Sequence, residues 1–294
     1  MQTNRCQTHE MKKIRITLIL LVLSFVVSAQ NNTDEKKYPL TSNTNSFNLS
    51  TLSFLDPYLS PLNYSGLGLG YSTESRRFLN EMDYKYSTLS KFRFGAGIAL
   101  NPKLTSDLLY FGANYGWGIE YHLMSINGIK LQVGGLWDAD FGFKNVERNI
   151  NNPVNLDMAT NLNLTGLASY DIILKQKTLK LKLALQTPLF GFMFVPRAGA
   201  SYFEMFELGN LTDALHFSSI HNKRGIDGKL SIDVPFNHSV WSFGLKMNEL
   251  RYSANDLVFN RSEFSLLVGT TFDITSFAGR KNKAPKNFIS PNDY

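Results

Sequence analysis

Past the opening Asp107, apolar and polar residues alternate one for one through residues 107–123, DLLYFGANYGWGIEYHL. One phase holds Leu109, Phe111, Ala113, Tyr115, Trp117, Ile119, Tyr121 and Leu123; the other holds Tyr110, Gly112, Asn114, Gly116, Gly118, Glu120 and His122. Strand side chains change face at every step, so the rhythm predicts one long strand with an apolar band on one face and small or polar residues on the other. The run KLQVGGLWDADFGFK repeats it, with Leu131, Val133, Trp137, Ala139, Phe141 and Phe143 against Lys130, Gln132, Gly134, Asp138, Asp140, Gly142 and Lys144. Between the two lies SINGIK. A two-residue Asn127-Gly128 turn would throw the apolar bands onto opposite faces. A three-residue loop, Ile126-Asn127-Gly128 with Gly128 left-handed, keeps them in phase, so it is the expected connection. That register sets Trp117 against Trp137 and His122 against Gln132.

The same signature recurs in YSGLGLGYSTESRRFL, YKYSTLSKFRFGAGIAL, VNLDMATNLNLTGLASYDI, LKLKLALQ, KLSIDVPF, SVWSFGLKMNEL and EFSLLVGTTFDI, punctuated by NPKLTSD, NINNP, KQKT and FNHS. An even-length turn near Gln176-Lys177 would bring Asp171 toward Lys182. These runs make nine clear strands, and ASYFEMFEL supplies a tenth; eight and twelve remain open counts. A soluble sandwich also alternates, but its strands are usually five or six residues long. Here the runs are longer, and charges share the polar phase with glycines that suit a narrow interior. The pattern therefore predicts an all-β protein, a transmembrane antiparallel β-barrel with its aromatic band toward lipid and its mixed charges inside.

Composition agrees. Aromatics make up 13% and charged residues only 18%, and a mean hydropathy of −0.16 excludes a bundle of membrane helices. MKKIRITLILLVLSFVVSAQ has the basic start, short apolar run and small residues of a secretory signal peptide ending at Ala29, with Met11 as the expected start. Its apolar run is shorter than the roughly 20 residues of a spanning helix. Cys6 lies before it, so the mature chain is expected to carry neither disulfide nor thiolate site. Cleavage would remove Arg5, Lys12, Lys13, Arg15 and Glu10, taking the net charge from +6 to +3. The tail with Arg280, Lys281, Lys283, Lys286 and Asp293 holds all of that excess, so the body gives no electrostatic basis for binding nucleic acid. The expected organisation is a signal segment over 1–29, a periplasmic segment over 30–62 whose FNLSTLSFLDPYLSPL packs under the barrel mouth, the barrel over 63–274, and a basic tail over 275–294 that hangs in the periplasm.

At YLSPLNYSGLGLGY, SYFEMFELGN, HFSSIHNKRG and DVPFNHSVWSFG, across about residues 58–274, the chain resembles an outer-membrane barrel family of the Bacteroidota known as a domain of unknown function. The resemblance implies the barrel and the outer membrane; it brings no activity, cofactor or catalytic residue.

Two clusters are candidate sites. Residues 187–225 break the rhythm at Pro188, and such a segment is where a plug, a partner surface or a site is expected. There His216 and Ser218 would share one face of a strand, with Glu204, Glu207 or Asp213 to orient the imidazole, the minimum for acyl transfer. Some lipid A deacylases look similar in pairing His with Ser on a barrel strand. Separately, Glu120, His122, Asp138 and Asp140 would form an oxygen-rich cation site or, more plainly, a salt-bridged interior network with Lys144, Lys91, Arg93 and Arg76. No phosphate loop or zinc spacing occurs, and no cofactor is implied. The functional expectation is a non-enzymatic structural or accessory component of the cell envelope, in contact with outer-membrane lipid and lipopolysaccharide and with an envelope protein partner. An acyl hydrolase of lipid or lipopolysaccharide and a small-solute channel are the alternatives. Sequencing the mature N-terminus tests the signal segment: it should begin at Gln30, and a chain retaining Met11 would contradict cleavage.

Overall fold

The computed structural model describes residues 38–79, 84–123, 125–174, 177–207, 210–236, 239–274 and 288–292. The expected signal segment, its cleavage site and residues 275–287 of the tail lie outside the described residues. A short β1 (Tyr38–Pro39) leads into ten long strands: β2 (Thr41–Asp56), β3 (Ser60–Phe78), β4 (Tyr86–Leu100), β5 (Asp107–His122), β6 (Ile129–Asn145), β7 (Val154–Leu174), β8 (Lys177–Phe194), β10 (Lys223–Phe236), β11 (Ser239–Ala254) and β12 (Leu257–Ile274). Between β8 and β10 come helix α1 (Tyr202–Glu207), a 3₁₀ turn (Asn210–Ala214) and a short β9 (Leu215–Ser219). Each long strand pairs antiparallel with its neighbour; β12 returns to β2 and β10 to β8, so the sheet closes into a ten-strand barrel. No described helix is long and apolar enough to cross a membrane.

Alternation decides the two faces. Phe47 and Leu69 are 71% and 69% exposed on the outer face, and Trp117 faces Trp137 across β5 and β6 with both rings half exposed. Apolar surface on this scale, continuous around a barrel, is unstable against water and suited to lipid. The inner face buries serines, asparagines, lysines, arginines and carboxylates.

The β5–β6 register is the expected one, with Trp117 opposite Trp137 and His122 opposite Gln132. Its turn differs. Ile126 and Ile129 exchange both backbone hydrogen bonds at 2.9 Å around Asn127 and Gly128, whose φ values of 52° and 82° are those of a two-residue primed turn. The register then slips by one residue before the Leu123 N–H reaches the Leu131 carbonyl at 2.8 Å, so a bulge beside the turn restores the phase. Asp171 pairs with Lys180, and Lys182 lies opposite Ser169, because the β7–β8 ladder runs in the register that sets Leu174 against Lys177.

Three boundaries are corrected. The barrel starts at Thr41, inside the segment expected to precede it. In β2 the inward phase changes character, from Ser46, Asn48 and Ser50 to Leu52 and Phe54, which hides the alternation. ASYFEMFEL is no strand: Ser201 and Glu204 form a reciprocal capping box, with Ser201 N–H donating to the Glu204 carboxylate at 2.7 Å and Glu204 N–H to Ser201 Oγ at 3.2 Å, and this starts α1. The last part of the tail does not hang free. β13 (Phe288–Ile289) pairs in parallel with β1, and buried Ser290 and Asn292 follow. Gln132 Nε2 donates to the Pro291 carbonyl at 3.0 Å, and Lys180 Nζ to that of Asn292 at 2.7 Å, so the peptide is held in the barrel mouth.

The opposite mouth is closed by apolar packing. Phe54, Tyr58, Leu59, Val146, Val195 and Phe259 are among its buried residues, and Tyr252 stacks on Phe259 at 4.7 Å. Tyr58, in the β2–β3 turn, donates its hydroxyl to the Ala200 carbonyl at 2.8 Å; burial, then Asp56 and Glu204, raise this phenol to about 12, so it stays a donor.

Two adjacent glycines give a paired test of the wall. A Cβ on Gly134 would stand 2.1 Å from the Ile119 carbonyl oxygen, whereas one on Gly135 would meet nothing within 4 Å. Gly134→Val should destabilise the barrel by about 1–3 kcal/mol and lower its heat-modifiability midpoint, and Gly135→Val should leave it unchanged.

Candidate functional site

The inward phases of the strands build a charge lattice in three tiers. Nearest the β1–β13 pair, buried Arg76 of β3 donates through Nε to Glu120 of β5 at 3.1 Å and through Nη1 to Glu74 at 3.2 Å. Lys229 of β10 crosses the lumen to the other Glu74 oxygen at 2.6 Å, and Lys182 of β8 pairs with Asp233. His122 Nε2 bonds Ser87 Oγ at 2.8 Å.

In the middle tier Arg93 of β4 pairs with Asp227 of β10 and donates to Asn114 Oδ1 at 3.2 and 3.0 Å. Asn114 passes the chain on to Asp140 at 2.8 Å, and Asn161 donates to Asp138 at 2.7 Å and Asp140 at 3.3 Å. Gln186 also reaches Asp138, at 3.2 Å, and Lys223 donates to Asn161 Oδ1 at 2.7 Å. Under the apolar cap, Lys144 lies between Asp56 and Asp157, its Nζ 2.9 Å from the latter. Tyr252 donates to Asp157 at 2.7 Å, Asn155 to Asp56 at 2.8 Å and Tyr202 to Asn155 at 2.9 Å. Buried charges are tolerated when paired and hydrogen-bonded like this.

The proposed cation set is separated. Glu120 belongs to the first tier, where it is neutralised by Arg76; Asp138 and Asp140 belong to the second, their oxygens taken by asparagine and glutamine amides. Among the described residues no three His, Cys, Asp or Glu side chains converge to hold a metal ion. The acyl-transfer set is also dispersed. His216 and Ser218 do face inward on β9, but neither His216 Nε2 nor Ser218 Oγ has a hydrogen-bond partner, and Glu204 is spent on capping α1. The His–Ser contact that forms is Ser219 Oγ with His221 Nδ1, in the exposed turn before β10. Asp56, Asp157 and Asp227 were not picked out from the sequence. Asp227 had a legible signal, since KRGIDGKLSID places Lys223, Asp227, Lys229 and Asp233 in one phase.

The wall has one irregular seam. β8 pairs with β10 only from Lys180–Asp233 to Gln186–Asp227, then with β9 from Phe190–Ser219 to Phe194–Leu215. Eight residue steps, from Ser219 to Asp227, face four on β8, from Phe190 to Gln186. Pro188, without an N–H, sits at the break, and Leu189 bulges on the β7 side.

Fold and lumen together define a closed antiparallel barrel with an apolar exterior and a polar, ion-paired interior. Within that class, the chain belongs to the DUF3316 family, described as a protein of unknown function, whose profile matches residues 16–281. In fold it is similar to the translocator domain of autotransporter NalP from Neisseria meningitidis, at 8% identity and a TM-score of 0.40, covering 90% of this chain and 96% of that one. It is similar too to the outer membrane protease OmpT from Escherichia coli, at 6% identity and a TM-score of 0.44, covering 84% and 100%. An outer membrane channel from Pseudomonas putida F1 matches at 8% identity and a TM-score of 0.31, covering 84% and 100%. Likeness at this level carries no activity to this chain. No curated protein matches it.

The first tier is open to a direct test. Arg76→Met strands the buried Glu120 carboxylate and leaves Glu74 with Lys229 alone, and should destabilise the barrel by about 3–5 kcal/mol. Adding Glu120→Gln should recover part of the loss in a denaturant titration of the detergent-solubilised protein.

Proposed function

We propose that the chain is an outer-membrane barrel that serves the envelope as a structural or accessory component and does not act as an open conduit. The observation that carries this reading is the obstructed lumen: an apolar cap at one mouth, the Phe288–Asn292 peptide at the other, and ion pairs across the space between. A narrow barrel leaves little width once side chains fill it. The exposed aromatic and aliphatic belt supports a lipid surrounding, and closed barrels of this kind are the β-sheet solution for outer membranes. Lipid and lipopolysaccharide are its expected neighbours at that belt, and an envelope protein is its expected partner.

Reconstitution in planar bilayers tests the proposal. The intact protein should give no stable conductance steps, whereas regular ohmic steps at low voltage would overturn it. Density-gradient separation of the envelope should bring the protein down with outer-membrane markers.

A further inference from the structure

We infer that the lumen holds a binding site for a phosphate-type oxyanion between Lys246 and Arg261, entered sideways through the break in the wall at Pro188. The inference goes beyond the envelope role, and only its lipid-borne form rests on the membrane reading.

The first ground is the shape of the lumen. A cavity is bounded on one side by Gly70, Gly95 and Gly112 of β3, β4 and β5, and on the other by Lys246 of β11 and Arg261 of β12. At Gly95 an added Cβ would meet only the Leu69 carbonyl oxygen, at 3.6 Å, so the glycine leaves real space.

The second ground is unmet hydrogen bonding. Lys246 is 8% exposed, yet among the described residues its ammonium makes no hydrogen bond or direct ion pair. Arg261 donates through Nη1 to Tyr110 Oη at 3.1 Å, but its buried Nε has no acceptor. The anions nearby accept hydrogen bonds from other side chains. Glu263 accepts from Ser50 at 3.0 Å and Ser265 at 2.9 Å, Asp140 accepts from Asn114 and Asn161, and Asp227 is paired with Arg93. What is left over is a set of unmet N–H donors, on Lys246 and on Arg261 Nε, which a ligand with negative oxygens would satisfy. Asn48 Oδ1 and Asn248 Oδ1, on residues that line the same cavity, also lack partners and would accept from a hydroxyl. A phosphate group with a neighbouring or bound hydroxyl supplies both.

The third ground is access. A second cavity shares Arg93, Asp140, Asn248 and Arg261 with the first and continues to Pro188, Gly225, Ile226 and Glu249. Ile226 and Glu249 pair across β10 and β11 and are exposed on the outer face. The polar space therefore reaches the outside of the wall where the sheet is interrupted, while both mouths are closed. A phosphate could arrive as a lipid headgroup, its chains left against the outer belt, or as the free ion.

The test uses the full-length barrel, extracted in a mild detergent and exchanged into phosphate-free buffer. Native mass spectrometry and ³¹P NMR should find one phospholipid per barrel, or, after delipidation, one bound inorganic phosphate on titration; the ³¹P shift tells ester from free ion. Lys246→Met should weaken phosphate binding by about tenfold or more, as expected for loss of one charged hydrogen bond. Gly95→Leu keeps every charge but fills the space, and should weaken binding as strongly with the fold intact. A wild-type barrel that carries no phosphorus and does not respond to added phosphate overturns the inference, as do both variants binding like wild type. In either case Lys246 and Arg261 serve ordered water alone.

Discussion

Everything in this molecule depends on the pairing of backbone groups in a medium that cannot pair them. In hydrocarbon an unsatisfied N–H or C=O costs several kcal/mol, so a sheet is admissible only if it has no edge. Closure of β12 on β2 and of β10 on β8 removes the edges. Once the sheet is closed, alternation leaves no freedom about content: whatever faces out must suit lipid, and every polar residue of the same strands must be housed within.

The housing problem explains the lattice. Lysines, arginines and carboxylates in a narrow lumen interact at low effective dielectric, where an unpaired charge is costly and a paired one is tolerable. Pairing across strands does more than neutralise. A one-residue slip in any ladder would turn Arg76 or Lys182 toward lipid and bring Leu or Phe inside, so the charges help to specify the register along with the apolar belt. The two ends follow different rules from the middle. The cap replaces ion pairs with Phe54, Tyr252 and Phe259 over the single Asp56–Lys144–Asp157 node, whereas the opposite mouth is filled by a peptide recognised through its carbonyl oxygens.

Legibility in the sequence tracks this division closely. Where both faces kept their character, as in β5 and β6, the sequence told the strand, its inner and outer faces and its register, including the Trp117–Trp137 pair. It failed where one strand serves two environments. In β2 the inward phase passes from the polar lumen to the apolar cap at Leu52, and the period of two becomes invisible although the strand continues. The helix α1 was misread because aromatic spacing alone does not distinguish Tyr202, Phe203 and Phe206 on a helix from the same residues on a strand; the Ser201–Glu204 capping box decides. The candidate residues were legible as inward-facing and charged. Their partners were not, since whether Glu120 meets Asp138 or Arg76 depends on the stagger of strands far apart in sequence. The contact of Lys229 with Glu74 across the barrel has no local signal at all.

The seam at β8 is the place where the closure rule is under most strain, and its position has a local cause. Pro188 cannot donate, so one ladder bond was unavailable there in any register. The longest described connection between barrel strands, from Val195 to Ala214, returns at the same seam, and β9 extends the wall above the break while β10 extends it below. The residues that do not pair across the gap are partly satisfied by side chains: Thr187 Oγ1 donates to the Gly225 carbonyl at 2.9 Å, and Asn222 Oδ1 accepts from Ser219 N–H at 2.8 Å. A break bridged in part by side chains costs less than bare backbone in lipid but is weaker than a continuous ladder. The wall is thus least continuous where the polar lumen reaches the outer face.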